Sequence, residues 1–210
     1  MVKVKICGIT NLEDALASLF AGADAVGFVF YKKSPRYIDP RKAGNISRIL
    51  PAGIKRVGVF VDAPASRVKK IAALCRLDML QFHGGESAAY CRRFRGYKVI
   101  KAFPVAAGVD ARNLREFPGC LPLFDSCSGG RFGGTGKKFN WKLLKNAGKI
   151  KRPFFLSGGL DAGNVRAAIK MLKPDWVDVS SGVEKSAGRK DHGKVRGFIK
   201  RARKPEGARL

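Results

Sequence analysis

A handful of side chains in this sequence could do chemistry, and each stands at or just past the end of a short apolar run. Cys7 closes the run Val2–Cys7. A thiolate in that position can act as base or nucleophile when a ligand can reach it. Asp125 follows Leu121–Phe124, and a carboxyl in a partly dry pocket can hold its proton near neutral pH and act as general acid. Arg36, in Ser34-Pro35-Arg36-Tyr37, carries a planar fork that binds a carboxylate through two parallel hydrogen bonds. His83, in Gln81-Phe82-His83-Gly84, is a candidate proton carrier. Ser157-Gly158-Gly159-Leu160 and Ser180-Ser181-Gly182-Val183 are small turns whose glycines let backbone N–H groups approach an anion closely.

Each of these also has a structural reading. A lone cysteine after an apolar run is more often a buried core residue. An aspartate at a strand end can cap a helix or join a loop salt bridge. Arg36 is one of 42 basic residues, most of which must be surface charges. His83 could serve only a structural hydrogen bond to the next loop, and one Ser-Gly-Gly turn alone is simply a tight turn. Placement decides between the readings, so the elements that carry these residues matter.

Eight short apolar runs alternate with helical segments: Val2–Cys7, Ala23–Phe30, Ile54–Val61, Met79–Phe82, Val99–Val105, Leu121–Phe124, Phe154–Leu156 and Trp176–Val179. A helix start is expected at Thr10, with Glu13 three residues on in a capping-box pattern. Val68, Ile71, Ala72 and Cys75 share one helical face, as do Val195, Phe198, Ile199 and Ala202. Near-continuous apolar strands alternating with helices predict a parallel sheet covered by helices. Eight such units in 210 residues predict an α/β protein that is one (β/α)8 TIM barrel, eight parallel strands surrounded by helices. The expected single domain spans 1–210, with a basic C-terminal helix and short tail at about 194–210. An open, doubly wound sheet ranks second, and no repeat between the halves stands out. In a barrel, catalytic groups project from the C-terminal strand ends, so Cys7 on the first strand and Asp125 on the sixth face a common pocket. The two glycine turns fall after the seventh and eighth strands, where barrels commonly hold phosphate. That joint placement favours a phosphate site over two unrelated turns.

Composition narrows the classes. Hydrophobic residues make up 45% of the chain, enough for one substantial core, and no stretch approaches the roughly 20 apolar residues that span a bilayer. The opening Met1-Val2-Lys3-Val4-Lys5 interrupts its apolar groups with charge and is unlike a signal peptide, so a cytoplasmic protein with no membrane partner is expected. Five scattered cysteines, Cys7, Cys75, Cys91, Cys120 and Cys127, argue against a disulfide framework or a zinc site; those other than Cys7 read as small buried hydrophobes. The formal net charge of +26 attracts anions: phosphorylated metabolites, anionic membrane or nucleic acid. The basic residues are spread along the chain, and no nucleic-acid motif or stacking platform is present. Nucleic-acid binding would be non-specific and salt-sensitive.

With these positions in view, a family resemblance becomes specific. Lys5-Ile6-Cys7-Gly8-Ile9-Thr10 resembles the opening of phosphoribosylanthranilate isomerases. The resemblance continues through Gly22–Phe30, Ser34-Pro35-Arg36, Val57–Val61, Leu80–Gly84, Asp125-Ser126, Gly133–Gly136 with Phe139-Asn140-Trp141, Leu156–Leu160 and Asp178–Glu184. It implies an enzyme of tryptophan biosynthesis that carries out an Amadori rearrangement of N-(5′-phosphoribosyl)anthranilate without metal or organic cofactor. It further implies Asp125 as the acid on the furanose oxygen, Cys7 as the base at C2′, and Arg36 as the clamp on the anthranilate carboxylate. Gln81, His83 and Asp178 become substrate-binding residues, and Gly158, Gly159, Ser180, Ser181 and Gly182 hold the phosphate. Such barrels occur as monomers and as homodimers. The loop Ser128–Gly136 is expected to fold over the ligand, as mobile barrel loops do. The resemblance departs from the family at Ala187, where proline is usual, and at Asn140, in place of a frequent aspartate; the high positive charge is not a family trait. The related histidine-pathway sugar isomerase is the nearest alternative, but it uses aspartate where this chain has Cys7.

Overall fold

The computed structural model describes residues 1–105, 114–126, 144 and 153–204. Every apolar run becomes a strand, with ends within two residues of those expected: β1 (Lys3–Cys7), β2 (Ala25–Val29), β3 (Lys55–Phe60), β4 (Met79–Phe82), β5 (Lys98–Val105), β6 (Leu121–Ser126), β7 (Phe155–Leu156) and β8 (Trp176–Val179). The strands pair in sequence order, all parallel, and β8 returns to β1 to close the barrel. The open-sheet alternative is thereby excluded. The described helices are α1 (Leu12–Phe20), α2 (Pro40–Ile49), α3 (Ala65–Leu74), α4 (Ala88–Arg92), α5 (Val165–Leu172) and α6 (His192–Arg203). A small antiparallel hairpin, β9 (Glu184–Ser186) and β10 (Arg189–Lys190), follows β8. The loop expected to close at 128–136, and Asn140, lie outside the described residues. No described helix is long and apolar enough to cross a membrane.

Alternation along each strand sorts the core. One set of positions, among them Val4, Ile6, Val26 and Phe28, packs outward under the helices, where Val68, Ile71, Val195 and Phe198 meet it. The other set points into the lumen. Its lower layer is apolar: Ala25, Val57, Met79, Ile100, Leu123, Phe155 and Trp176, with the Phe155 and Trp176 rings stacked 4.9 Å apart. Higher up, towards the C-terminal ends, the inward positions turn polar. Lys5, Gln81 and Asp178 are buried there, with Cys7 and Asp125 at the rim.

The helix caps refine one expectation. The α1 N-cap is Asn11, not Thr10: Asn11 has extended backbone (φ −149°), and its side chain accepts from the Asp14 N–H at 2.8 Å. Thr10 is unavailable because its hydroxyl donates to the Gly188 carbonyl between β9 and β10. α2 starts with Pro40 at the first helical position, with Asp39 accepting from the Arg41 N–H at 2.9 Å.

A repeat is visible at the barrel floor that self-comparison of the sequence misses. Asp24, Asp78 and Asp175 each stand one residue before an even-numbered strand, and each accepts a backbone N–H from the neighbouring odd-numbered segment. The donors are Val4 (2.8 Å), Arg56 (2.8 Å) and Phe154 (3.0 Å). Only one residue per unit is shared, too little for a sequence period.

Candidate active site

Cys7, Arg36, Gln81, His83, Asp125, Asp178 and Ser180 line a single cleft at the C-terminal mouth of the barrel. Two glycines make the Cys7 corner possible. Gly27, opposite Cys7 on β2, leaves room for the sulfur: a methyl there would sit 2.8 Å from Cys7 Sγ and 3.2 Å from Lys5 Cε. Gly8 takes φ +78°, and a methyl on it would lie 2.8 Å from Arg36 Cδ, so only glycine lets the arginine cross the end of β1. Burial pushes the Cys7 thiol up from its ordinary value. The Lys5 and Lys190 ammoniums pull it back only in part, and Asp178 adds to the rise.

Below the cleft runs a buried polar chain. Lys5 Nζ donates to Asp178 Oδ2 and to Gln81 Oε1, both at 2.9 Å. Gln81 Nε2 lies 2.9 Å from His83 Nδ1, and His83 Nε2 lies 3.1 Å from Asp125 Oδ2. Burial acts to lower the Lys5 pKa, but the charges and hydrogen bonds of Asp178 and Cys7 outweigh it, so Lys5 is held as an ammonium ion. Asp178 Oδ1 is buried without a hydrogen-bond partner among the described residues. An orphaned carboxylate oxygen is costly unless something enters to donate to it.

Arg36 is held from behind. Its Nε and Nη2 donate to the two oxygens of Glu184 at 2.9 and 2.8 Å, and Lys190 Nζ donates to Glu184 Oε1 at 2.8 Å. Burial raises the Glu184 carboxyl, but these two cations more than offset that and hold it below its usual range. A guanidinium has five N–H groups, so three remain for a ligand. Beside Cys7, Val29, Val59 and Tyr31 form a small apolar wall.

The two glycine turns meet. Gly158 and Gly159 adopt φ +86° and +65°, and Gly182 presses so closely on the Leu160 carbonyl that a methyl would stand 2.0 Å from its oxygen. Ser181–Val183 is a short 3-10 turn. Ser180 Oγ donates to the Cys7 carbonyl at 3.1 Å, tying this corner to the end of β1.

The residues that match a known family model are 4–201, and the family is N-(5′-phosphoribosyl)anthranilate isomerase. The chain belongs to that family. It is 50% identical over 204 residues to the N-(5′-phosphoribosyl)anthranilate isomerase of Thermotoga neapolitana, covering 97% of this chain and 99% of the relative. Its fold superposes on the crystal structure of phosphoribosyl anthranilate isomerase from Thermotoga maritima with a TM-score of 0.88 at 45% identity, covering 96% and 98% of the two chains. A second solved structure, of phosphoribosyl anthranilate isomerase in complex with reduced 1-(o-carboxyphenylamino)-1-deoxyribulose 5-phosphate, gives 0.85 at 44% identity and the same coverage. Isomerase activity in tryptophan biosynthesis follows from membership.

The cleft brings the expected residues of the isomerase together, with Gly158, Gly159, Ser181 and Gly182 beside it through the turns that carry Ser157 and Ser180. Sequence reasoning assigned no role to Lys5, Glu184 and Lys190. Lys5 carried a readable signal: it lies two residues before Cys7, on the same face of a strand. Glu184 and Lys190 carried none: Arg36, which Glu184 holds, is 148 residues from it, and Lys190 joins only through Glu184.

Proposed function

We propose that this chain rearranges N-(5′-phosphoribosyl)anthranilate with Asp125 as general acid and Cys7 as general base. The observation that supports the assignment is that these two proton-carrying groups share one cleft with a fixed arginine fork and the paired glycine turns. Asp125 gives its proton to the furanose ring oxygen, the bond from that oxygen to C1′ breaks, and a protonated Schiff base remains. Cys7 takes the C2′ proton, the electrons of the broken C2′–H bond form the C1′–C2′ double bond, and those of the C1′–N double bond return to nitrogen, giving the enol-amine. A proton returned to C1′, as the C2′ hydroxyl gives up its own hydrogen, completes the ketone, and these two transfers restore the Cys7 thiolate and the Asp125 acid.

Arg36 binds the anthranilate carboxylate through the N–H groups that Glu184 leaves, and the ring lies on the wall of Val29, Val59 and Tyr31. Asp178 Oδ1 accepts a sugar hydroxyl hydrogen, which supplies its missing partner. Gln81 and His83 support the acid from below. Gly158, Gly159, Ser180, Ser181 and Gly182 receive the phosphate, where positive-φ glycines open the backbone to an anion.

The test is turnover of freshly generated phosphoribosylanthranilate, followed by loss of its fluorescence. Cys7→Ser and Asp125→Asn should each keep the fold and lose about 10²–10⁴-fold in kcat. Full activity in either variant removes that residue from its role.

A further inference from the structure

We propose that the Gln81 amide, held by Lys5, locks the tautomer of His83 and thereby directs the acidic proton of Asp125 onto Oδ1. The inference rests on the reading of Asp125 as the acid, and it comes from counting donors and acceptors along one buried chain.

Lys5 is an ammonium ion and can only donate. The Gln81 atom 2.9 Å away must therefore be the carbonyl oxygen, which fixes which way the amide points. Its nitrogen, with two hydrogens and no lone pair to offer, then faces His83 Nδ1 at 2.9 Å. Nδ1 must be the bare nitrogen of the ring, so the ring hydrogen sits on Nε2 and is donated to Asp125 Oδ2 at 3.1 Å. An oxygen that already receives an N–H cannot point a proton back at it. When Asp125 is protonated, the hydrogen is on Oδ1.

Burial makes the lock firm. Lys5 and Gln81 are 0% and 1% exposed, so water cannot compete for the amide. Turning the amide would set its NH2 against an ammonium ion and leave two donors facing no acceptor. The amide also neither gives nor takes a proton, so the chain positions acid and base without conducting between them. A proton taken by Cys7 does not reach Asp125 through these side chains. Among the described residues, the charged or titratable groups around this chain are Lys5, Cys7, Asp178 and Lys190 at one end and Asp125 at the other, with Tyr31, Glu184 and Arg36 at the Cys7 corner and the Lys101–Glu86 pair on Gly84 beside His83.

The sequence holds only two histidines, His83 and His192, so nitrogen NMR of the full-length, histidine-labelled protein reads the ring directly, with His192→Gln for assignment. The expected wild-type result is protonated Nε2 and bare Nδ1 at neutral pH. In Gln81→Glu both facing oxygens are acceptors, and Nδ1 should become protonated. kcat should fall about 10–100-fold, as when a group orienting a reacting residue is lost. KM should stay within a few-fold, and the kcat–pH profile should shift. Lys5→Met, which frees the amide to turn, should show both tautomers and serves if Gln81→Glu fails to fold. A wild-type ring protonated on Nδ1, or a ring unchanged in Gln81→Glu, overturns the proposal. Should the NMR come out as expected while Asp125→Asn keeps full turnover, the lock stands and only the assignment of the acid falls.

Discussion

The two ends of this barrel both carry aspartates among basic residues, yet they are built on opposite logic. At the floor, Asp24, Asp78 and Asp175 give an oxygen to a backbone N–H, a donor that cannot leave or change its protonation. Arg203 and Arg56 add charged contacts at 2.8 and 3.4 Å. At the mouth, Asp178 and Asp125 are held by Lys5 and His83, and Asp178 keeps one buried oxygen without a partner. The floor also has the larger hollow, about 750 Å³, lined by residues such as Lys3, Lys55, Lys98 and Trp176. Size is therefore a poor guide here. A carboxylate fixed by backbone is a structural fastening, whereas one fixed by side chains, with spare capacity facing a cleft, can exchange protons and partners.

The sharpest way to break this contrast is to remove the two groups proposed to react. Cys7→Ser and Asp125→Asn, at the mouth, should cost about 10²–10⁴-fold in kcat while leaving thermal unfolding near that of the wild type. If either unfolds the chain instead, the mouth is as structural as the floor and the contrast fails.

The next effect concerns the support behind Arg36. Glu184→Gln keeps the size of the side chain but removes the charge that holds both Arg36 and Lys190. A loosened clamp should weaken substrate capture more than chemistry. The expected result is a loss of about 10–100-fold in kcat/KM, the usual scale for groups that orient a binding residue, carried mainly by KM. An equal loss in kcat with KM unchanged would mean that Glu184 acts on the transition state and not through the clamp.

The floor should answer in the other currency. Asp78→Ala removes the acceptor of the Arg56 N–H and its contacts with the Arg56 and Lys55 side chains. The carboxylate is partly exposed, so solvent softens the loss to about 1–2 kcal/mol. That corresponds to a fall of roughly 2–8 °C in Tm for a chain of this size. Turnover at a temperature where the variant is folded should be unchanged.

What the sequence revealed follows the same division. The strands were legible because a strand buried on both faces is an apolar run, and Cys7 and Asp125 because they end such runs. The support residues were not. Lys5 in Val2–Cys7 reads as a charge interrupting an apolar segment, and its burial makes sense only when barrel closure sets it beside Asp178, 173 residues away. Thr10 looked like the better cap for α1 until the β9–β10 turn, folded back from the far end of the chain, claimed its hydroxyl. Local pattern reports what a residue is next to in the chain; the groups that tune this site are next to it only in space.

The smallest expected effect tests that tuning in the pH profile. On the proposed assignment, catalysis needs Asp125 protonated and Cys7 ionised. A thiol ordinarily ionises near 8.5, and burial pushes Cys7 higher still. For such a pair kcat/KM rises through the lower macroscopic pKa, runs flat, and falls through the upper one. The plateau should accordingly persist to alkaline pH and decline only above the ordinary thiol range. Lys190 is one of the two cations that pull the Cys7 value down. Lys190→Met removes that pull, so the alkaline limb should move to higher pH. The plateau should drop several-fold, because the thiolate becomes rarer still at every pH below the limb. A limb that moved to lower pH, or a plateau lost without any movement of the limb, would mean that Lys190 acts through Glu184 and Arg36 alone and that its charge is not felt at the sulfur.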